Sequence, residues 1–263
     1  MDLGLKNARV LVTAASQGLG AATARRFSLE GAQIVINSRN LDQLQQTAAS
    51  IVEETGGMVF THAADVSDPL DATRLVENAV SMMDGLDILV TNAGGPPAGT
   101  FDKFDLEVWR QASDLTLHSH VSLIRAALPY LRQSDRAAIL AVVSIAARQP
   151  VENLTLSNAI RPAVVGLTKT LADELGPDGI RVNSILPGVT ETARVQNLMQ
   201  SRAEKNNTSV DEEYARAGRS IPLQRIGTAE EFGNAAVFLC SPAAGFITGI
   251  ALPVDGGAMR ATF

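Results

Sequence analysis

Val10-Leu11-Val12-Thr13-Ala14-Ala15-Ser16-Gln17-Gly18-Leu19-Gly20 runs from an apolar strand pattern, through a turn of small residues, into the helix pattern Ala21-Ala22-Thr23-Ala24-Arg25-Arg26-Phe27. Small residues at such a junction let a backbone approach a pyrophosphate, whose charge then sits on free N–H groups at the helix N-terminus. The same letters also fit an ordinary strand-to-helix turn. Context favours the first reading. A second strand pattern, Ile34-Val35-Ile36-Asn37, follows after one helix length, as a βαβ nucleotide-binding unit requires.

Outward from that unit the alternation continues. Strand patterns lie at Val10–Val12, Ile34–Asn37, Met58–Ala63, Ile88–Thr91, Ala138–Val143, Arg181–Leu186 and Ile250–Val254. Helical patterns lie near 19–30, 40–55, 69–83, 105–133, 153–175 and 228–240. This spacing predicts an α/β fold, a doubly wound parallel sheet of Rossmann type with helices on both faces. No repeat, linker or compositional break divides residues 1–263, so one dinucleotide-binding domain is expected. Residues 191–226 differ: charged, Asn-rich and poorly periodic, they read as a lid with short helices or as a solvated loop.

Bulk properties narrow the function. The chain is 46% hydrophobic and 19% charged, as ordinary globular proteins are. A formal net charge of −6 argues against nucleic-acid or anionic-membrane partners. The lone cysteine, Cys240, lies in an apolar run and fits a buried, reduced thiol. The first residues show no signal-peptide pattern, and no apolar stretch approaches the roughly 20 residues of a membrane helix. A cytoplasmic location is expected. His62, His118 and His120 form no ligand pattern with Cys240, so no metal site is expected.

The ordered motifs resemble the short-chain dehydrogenase/reductase family, from about residue 5 onward. They are Thr13-x-x-x-x-Gly18-x-Gly20, Asp65-Val66, Asn92-Ala93-Gly94, Ser144, Arg181 through Gly188, Thr248-Gly249 and Asp255-Gly256-Gly257. The overall look is closest to 3-oxoacyl-carrier-protein reductases, which says little about substrate. The resemblance implies a nicotinamide dinucleotide, a small-molecule substrate and commonly a homotetramer built partly on helices 105–133 and 153–175. It implies cofactor contacts from Thr13, Ala15, Ser16, Gln17, Gly18, Leu19 and Gly20, from Asp65 and Val66 beside the adenine, and from Asn92, Ala93 and Gly94. Near the nicotinamide it implies Pro187, Gly188, Thr190 and Thr192. Ala14 departs from the pattern by replacing the first glycine; its methyl is tolerable if the backbone there avoids positive φ, giving a tighter fit without lost binding.

Charge selects the dinucleotide. NAD sites usually end the second strand with an acid for the ribose 2′-hydroxyl. Here Asn37-Ser38-Arg39-Asn40 stands there, with no acid until Asp42. Ser38 and Arg39 can hold a 2′-phosphate, so NADP(H) is favoured, unless Arg39 is merely a solvated surface residue.

The catalytic residues implied by the resemblance are mostly replaced. Ser144 fits the serine that polarises the substrate carbonyl. Thirteen residues on, the expected Tyr is Ser157, and the expected Lys is Arg161. Thr116 stands at the expected Asn. Neither of the two tyrosines, Tyr130 and Tyr214, has a Lys four residues later. A phenol with pKa ~10 can be pulled toward neutrality by an ammonium, whereas a serine hydroxyl cannot serve as that acid. Arg161 stays protonated but can donate to ribose hydroxyls and so counts also as a cofactor ligand. Pro162 predicts a kink or a late helix start. Tyr214 in the lid and the histidines near Thr116 are substitute proton carriers or packing residues. Two functions remain: an atypical NADP(H)-dependent carbonyl/alcohol oxidoreductase using Ser144, Ser157, Arg161 and Thr116, or a sensor or scaffold that binds the nucleotide without turnover.

Overall fold

The first strand, β1 (Arg9–Val12), sits in the middle of the molecule, because its side chains are buried on both faces. Val10 and Val12 pack on one side with Phe27, Leu44 and Phe232, and Leu11 packs on the other with Leu75, Val76 and Leu123. Alternation of this kind places a helical layer on each face of a sheet.

In a computed structural model, which describes residues 1–261, seven parallel strands form that sheet. The elements run β1, α1 (Gly18–Leu29), β2 (Gln33–Ser38), α2 (Leu41–Thr55), β3 (Met58–Ala63), α3 (Pro69–Met83) and β4 (Ile88–Thr91). The second half runs α4 (Leu106–Ser113), α5 (Ser119–Leu131), β5 (Ala138–Val142), α6 (Thr155–Leu175), β6 (Arg181–Pro187), α7 (Ala193–Asn206), α8 (Val210–Arg219), α9 (Ala229–Cys240) and β7 (Ala251–Val254). The strand order is β3-β2-β1-β4-β5-β6-β7. The order reverses between β1 and β4, which opens a crevice at the carboxyl ends of the strands. All seven strands and the Rossmann-type fold agree with the sequence reading.

Three expectations are corrected. The helix expected over 105–133 is interrupted by a π-type turn, Asp114–His118, between α4 and α5. Pro162 does not delay α6, which begins at Thr155 and runs through it. Buried Leu156, Ile160 and Val164 hold one stripe of α6 inward while the ring of Pro162 faces solvent, so packing outweighs the lost N–H. Within 191–226, α7 and α8 replace the solvated-loop alternative: Thr192 caps α7, and Ser209 with Glu212 forms a capping box on α8.

No helix among the described residues is long and apolar enough to cross a membrane. Cys240 is buried, and burial pushes its thiol up to about 12.

Candidate active site

Most helices here have a side-chain cap where sequence supplies one: Asn40 accepts from Gln43 N on α2, and Asp68 from Leu70 N and Asp71 N on α3. Helix α1 does not. Gln17 makes no capping bond and no acid lies in the first turn, so the leading N–H groups of α1 face the crevice free for an anion.

The turn before α1 is built by close approach. A Cβ on Gly20 would overlap the Ala14 carbonyl oxygen and lie 2.8 Å from the Ala15 Cα, so only glycine lets the helix sit against the turn. Thr13 clamps the turn to the end of β4: its Oγ1 donates to Asn92 O (2.6 Å) and accepts from Asn92 N (2.8 Å). Ala15 is fully buried, and its N–H donates to Asn37 O at 2.8 Å. Thr13, Ala15 and Gly20 therefore stand behind the crevice wall, outside the lining. These three shape the turn that presents Ser16 to Leu19 to the crevice.

The crevice is a cavity of about 1630 Å³. It is lined by Ser16, Gln17, Gly18 and Leu19, by Ser38 and Arg39, by Asp65 and Val66, and by Asn92, Ala93 and Gly94. Farther along come Ser144, Ser157, Arg161, Pro187, Gly188, Thr190 and Thr192. Residues distant in the chain thus share one cleft because the strands that carry them end on the same edge.

Ala14 corrects another expectation. Its φ is +47°, in the left-handed region, where a side chain costs roughly 1–2 kcal/mol. Ala14→Gly is therefore expected to stabilise the protein by up to about 1 kcal/mol, strain relief exceeding the added chain entropy. A urea unfolding midpoint that rises with an unchanged slope checks this; a lower midpoint contradicts it.

At the catalytic end, Ser144 follows β5 and caps a short 3-10 turn, Ile145–Ala147, its Oγ accepting from Ala146 N at 3.1 Å. With the oxygen occupied as an acceptor, the hydroxyl proton is left to donate into the cleft. Ser157 is buried on the first turns of α6. Arg161, one turn later, is buried too, and its Nη1 donates to Val143 O at 2.6 Å. Burial and then the charge of Arg194 bring its guanidinium down to about 10, so it stays cationic at neutral pH. Asn158 fixes the loop beside them, accepting from Val151 N (3.0 Å) and donating to Val151 O (2.8 Å).

Thr116 does not reach the cleft. It sits in the π-type turn, buried, and its Oγ1 has no hydrogen-bond partner. Its hydroxyl is buried in that turn and is not among the groups that line the cleft. The proposed substitutes fare no better. His120 is buried, with Nδ1 2.7 Å from Thr91 Oγ1; burial, and then the Arg161 charge, lower it to about 3. It is neutral at physiological pH and cannot be an imidazolium donor. Tyr214, on α8, is not among the lining residues.

Sequence reading missed several lining residues. Asn37 pins the ends of β2 and β3, its Nδ2 donating to His62 O (3.0 Å) and Ala64 O (3.1 Å). Arg194, Asn197, Leu198 and Arg202 come from α7. The positive charge of α7 was visible in the sequence, but its placement over the cleft was not. Among the described residues no group of three or more His, Cys, Asp or Glu could hold a metal ion.

This fold and cleft define a dinucleotide-binding α/β protein. A sequence profile described as enoyl-(acyl carrier protein) reductase matches residues 13–259. Dehydrogenase/reductase SDR family member 4 of Sus scrofa is 35% identical over 254 residues, covering 96% of this chain and 88% of the relative. The L-sorbose reductase of Gluconobacter frateurii, solved with NADPH and L-sorbose, superposes with a TM-score of 0.96 at 34% identity, covering 99% of this chain and 100% of that one. A short-chain oxidoreductase of Pseudomonas aeruginosa PAO1, described as containing an atypical catalytic center, gives 0.92 at 31% identity, covering 98% and 100%. The chain belongs to the short-chain dehydrogenase/reductase family.

Proposed function

We propose that this chain is an NADP(H)-dependent oxidoreductase that interconverts a carbonyl and an alcohol on a small organic substrate, through a non-standard catalytic site. The observation that carries the proposal is the convergence of Ser144, Ser157 and Arg161 on the same cleft as the uncapped start of α1. Solved relatives bound to NADPH, such as the L-sorbose reductase, support the cofactor class.

The residues present fit the dinucleotide. The N–H groups of Gly18 and Leu19 would take the pyrophosphate, Asp65 the adenine, and the Pro187–Thr192 stretch the nicotinamide. Arg161 would donate to the nicotinamide ribose. When bound, the cofactor supplies or accepts the hydride, two electrons per turnover. Ser144 donates to the substrate oxygen and stabilises the charge that develops there. Ser157 and Arg161 complete the polar wall, and solvent or another protic side chain supplies the proton, since neither tyrosine lines the cleft. The lid at α7 and α8, a homotetramer and a cytoplasmic location belong to the same proposal.

Preference for NADP(H) rests on Ser38 and Arg39 at the adenosine end. Arg39 is 78% exposed on its side chain and lies 3.9 Å from Asp65, a pairing too long and too solvated to hold it. It is free to meet a 2′-phosphate. Arg39→Ala is expected to weaken NADPH about tenfold, the scale of one charge-assisted hydrogen bond, with far less effect on NADH. Fluorescence titration of both nucleotides checks this. A parent protein that prefers NADH overturns the assignment.

The direct test of function is NADPH consumption against a panel of aldehydes and ketones. The absence of a phenol in the cleft also favours a second reading, a nucleotide-binding sensor or scaffold. Tight NADPH binding with no turnover on any panel member would select it.

A further inference from the structure

Arg161 is 9% exposed, and no carboxylate lies within ion-pair distance of it among the described residues. Among the described residues one hydrogen bond holds it, to the carbonyl of Val143, the residue before Ser144. A buried cation without a counter-ion is costly unless something else brings the negative charge.

The groups around it deepen the deficit. Arg194, in the first turn of α7, lines the same cleft and, among the described residues, also has no acid within ion-pair distance. Its guanidinium lies across Gly95, where a Cβ would stand 2.5 Å from Nη1, so the glycine gives it room. The charge of Arg194 is felt at Arg161, which places two like charges near each other in one pocket. From α5, His120 is neutral and offers no compensation. Glu152 is the one acid lining this end; it is exposed and turned to the amide of Asn153 at 3.5 Å. Arg202, also lining, has its negative neighbour in Glu213.

The cofactor has its own anion cradle at the start of α1, where backbone N–H groups serve the pyrophosphate. Arg161 is tied to Val143, the residue before Ser144, and its five N–H donors exceed what that carbonyl and a ribose hydroxyl can take, leaving some for an anion. We propose that the substrate is an anionic carbonyl compound whose negative group, a carboxylate or a phosphate close to the carbonyl, lies between the guanidiniums of Arg161 and Arg194. This rests on the oxidoreductase reading given above and names its substrate class. Planar guanidiniums suit such groups because each can donate two parallel N–H bonds.

The test compares charge-matched pairs on the enzyme with NADPH: acetoacetate against ethyl acetoacetate, and dihydroxyacetone phosphate against dihydroxyacetone. At least one anion is expected to exceed its neutral partner by tenfold or more in kcat/KM, and which pair does so separates carboxylate from phosphate. Arg194→Gln is expected to cut that preference ratio by at least tenfold. Neutral partners used as well as the anions overturn the proposal, as does an Arg194→Gln variant that loses NADPH affinity while keeping the ratio, since the guanidinium then serves the cofactor. If nothing turns over, the oxidoreductase reading fails separately. The anion preference is then read from binding, by calorimetry on the NADPH complex, and equal or absent binding of anion and neutral partner overturns it.

Discussion

Ser144→Ala is expected to lower kcat for carbonyl reduction by about 10²–10³, the effect of removing one aimed donor to a developing oxyanion, with NADPH affinity little changed. Ser144 is well placed for such a role. Its oxygen already accepts from the Ala146 N–H, so its own proton is available, and it sits at the carboxyl end of β5 in the cleft. The folded protein should tolerate the change, because the short turn it caps spans only three residues. Initial rates on any reducible carbonyl, paired with a nucleotide titration, check the result. Turnover unaffected by the substitution would remove Ser144 from the mechanism.

The second large effect runs in the opposite direction. The double variant Ser157→Tyr with Arg161→Lys places a phenol and an ammonium one helical turn apart on α6, facing the cleft. A positioned general acid typically contributes ~10²–10⁴ in rate, so kcat is expected to rise toward that range if proton delivery is what the parent lacks. The sign of the pH dependence is fixed. Reduction needs the phenol protonated, so the variant should acquire a limb that falls as pH rises through the tyrosine pKa, which the neighbouring ammonium lowers from its usual ~10. A double variant that folds and binds NADPH but gains no rate would show that proton supply is not the deficit. Removing the buried guanidinium also removes half of the anion clamp, so the gain should be larger on neutral carbonyls than on anionic ones.

The local letters around the nucleotide cradle carried a great deal, because strand–turn–helix junctions are set by near neighbours. Val10–Val12, the small-residue turn and the α1 pattern are contiguous, and each strand ends beside its own motif. Hence Ser144, Ser157 and Arg161 could be picked out by laying the chain against the family pattern it resembles, and the structure does bring all three to one cleft. Spacing could not report where side chains finish. Thr116 occupies the expected position in the chain, yet the π-type turn seals its hydroxyl away from the cavity. Ala14 appeared compatible with its turn, but the folded turn holds it at positive φ, with its carbonyl packed against Gly20.

Sequence by itself determined the seven strands and most of the helices that wrap them, since hydrophobic period acts over a few residues. Tertiary structure alone decided that α7 swings Arg194 over the cleft, that His120 is sealed and neutral, and that Arg161 lies buried with no acid beside it among the described residues. Those are electrostatic facts between segments far apart in the chain, and desolvation and charge–charge coupling exist only once the fold has excluded water from between them.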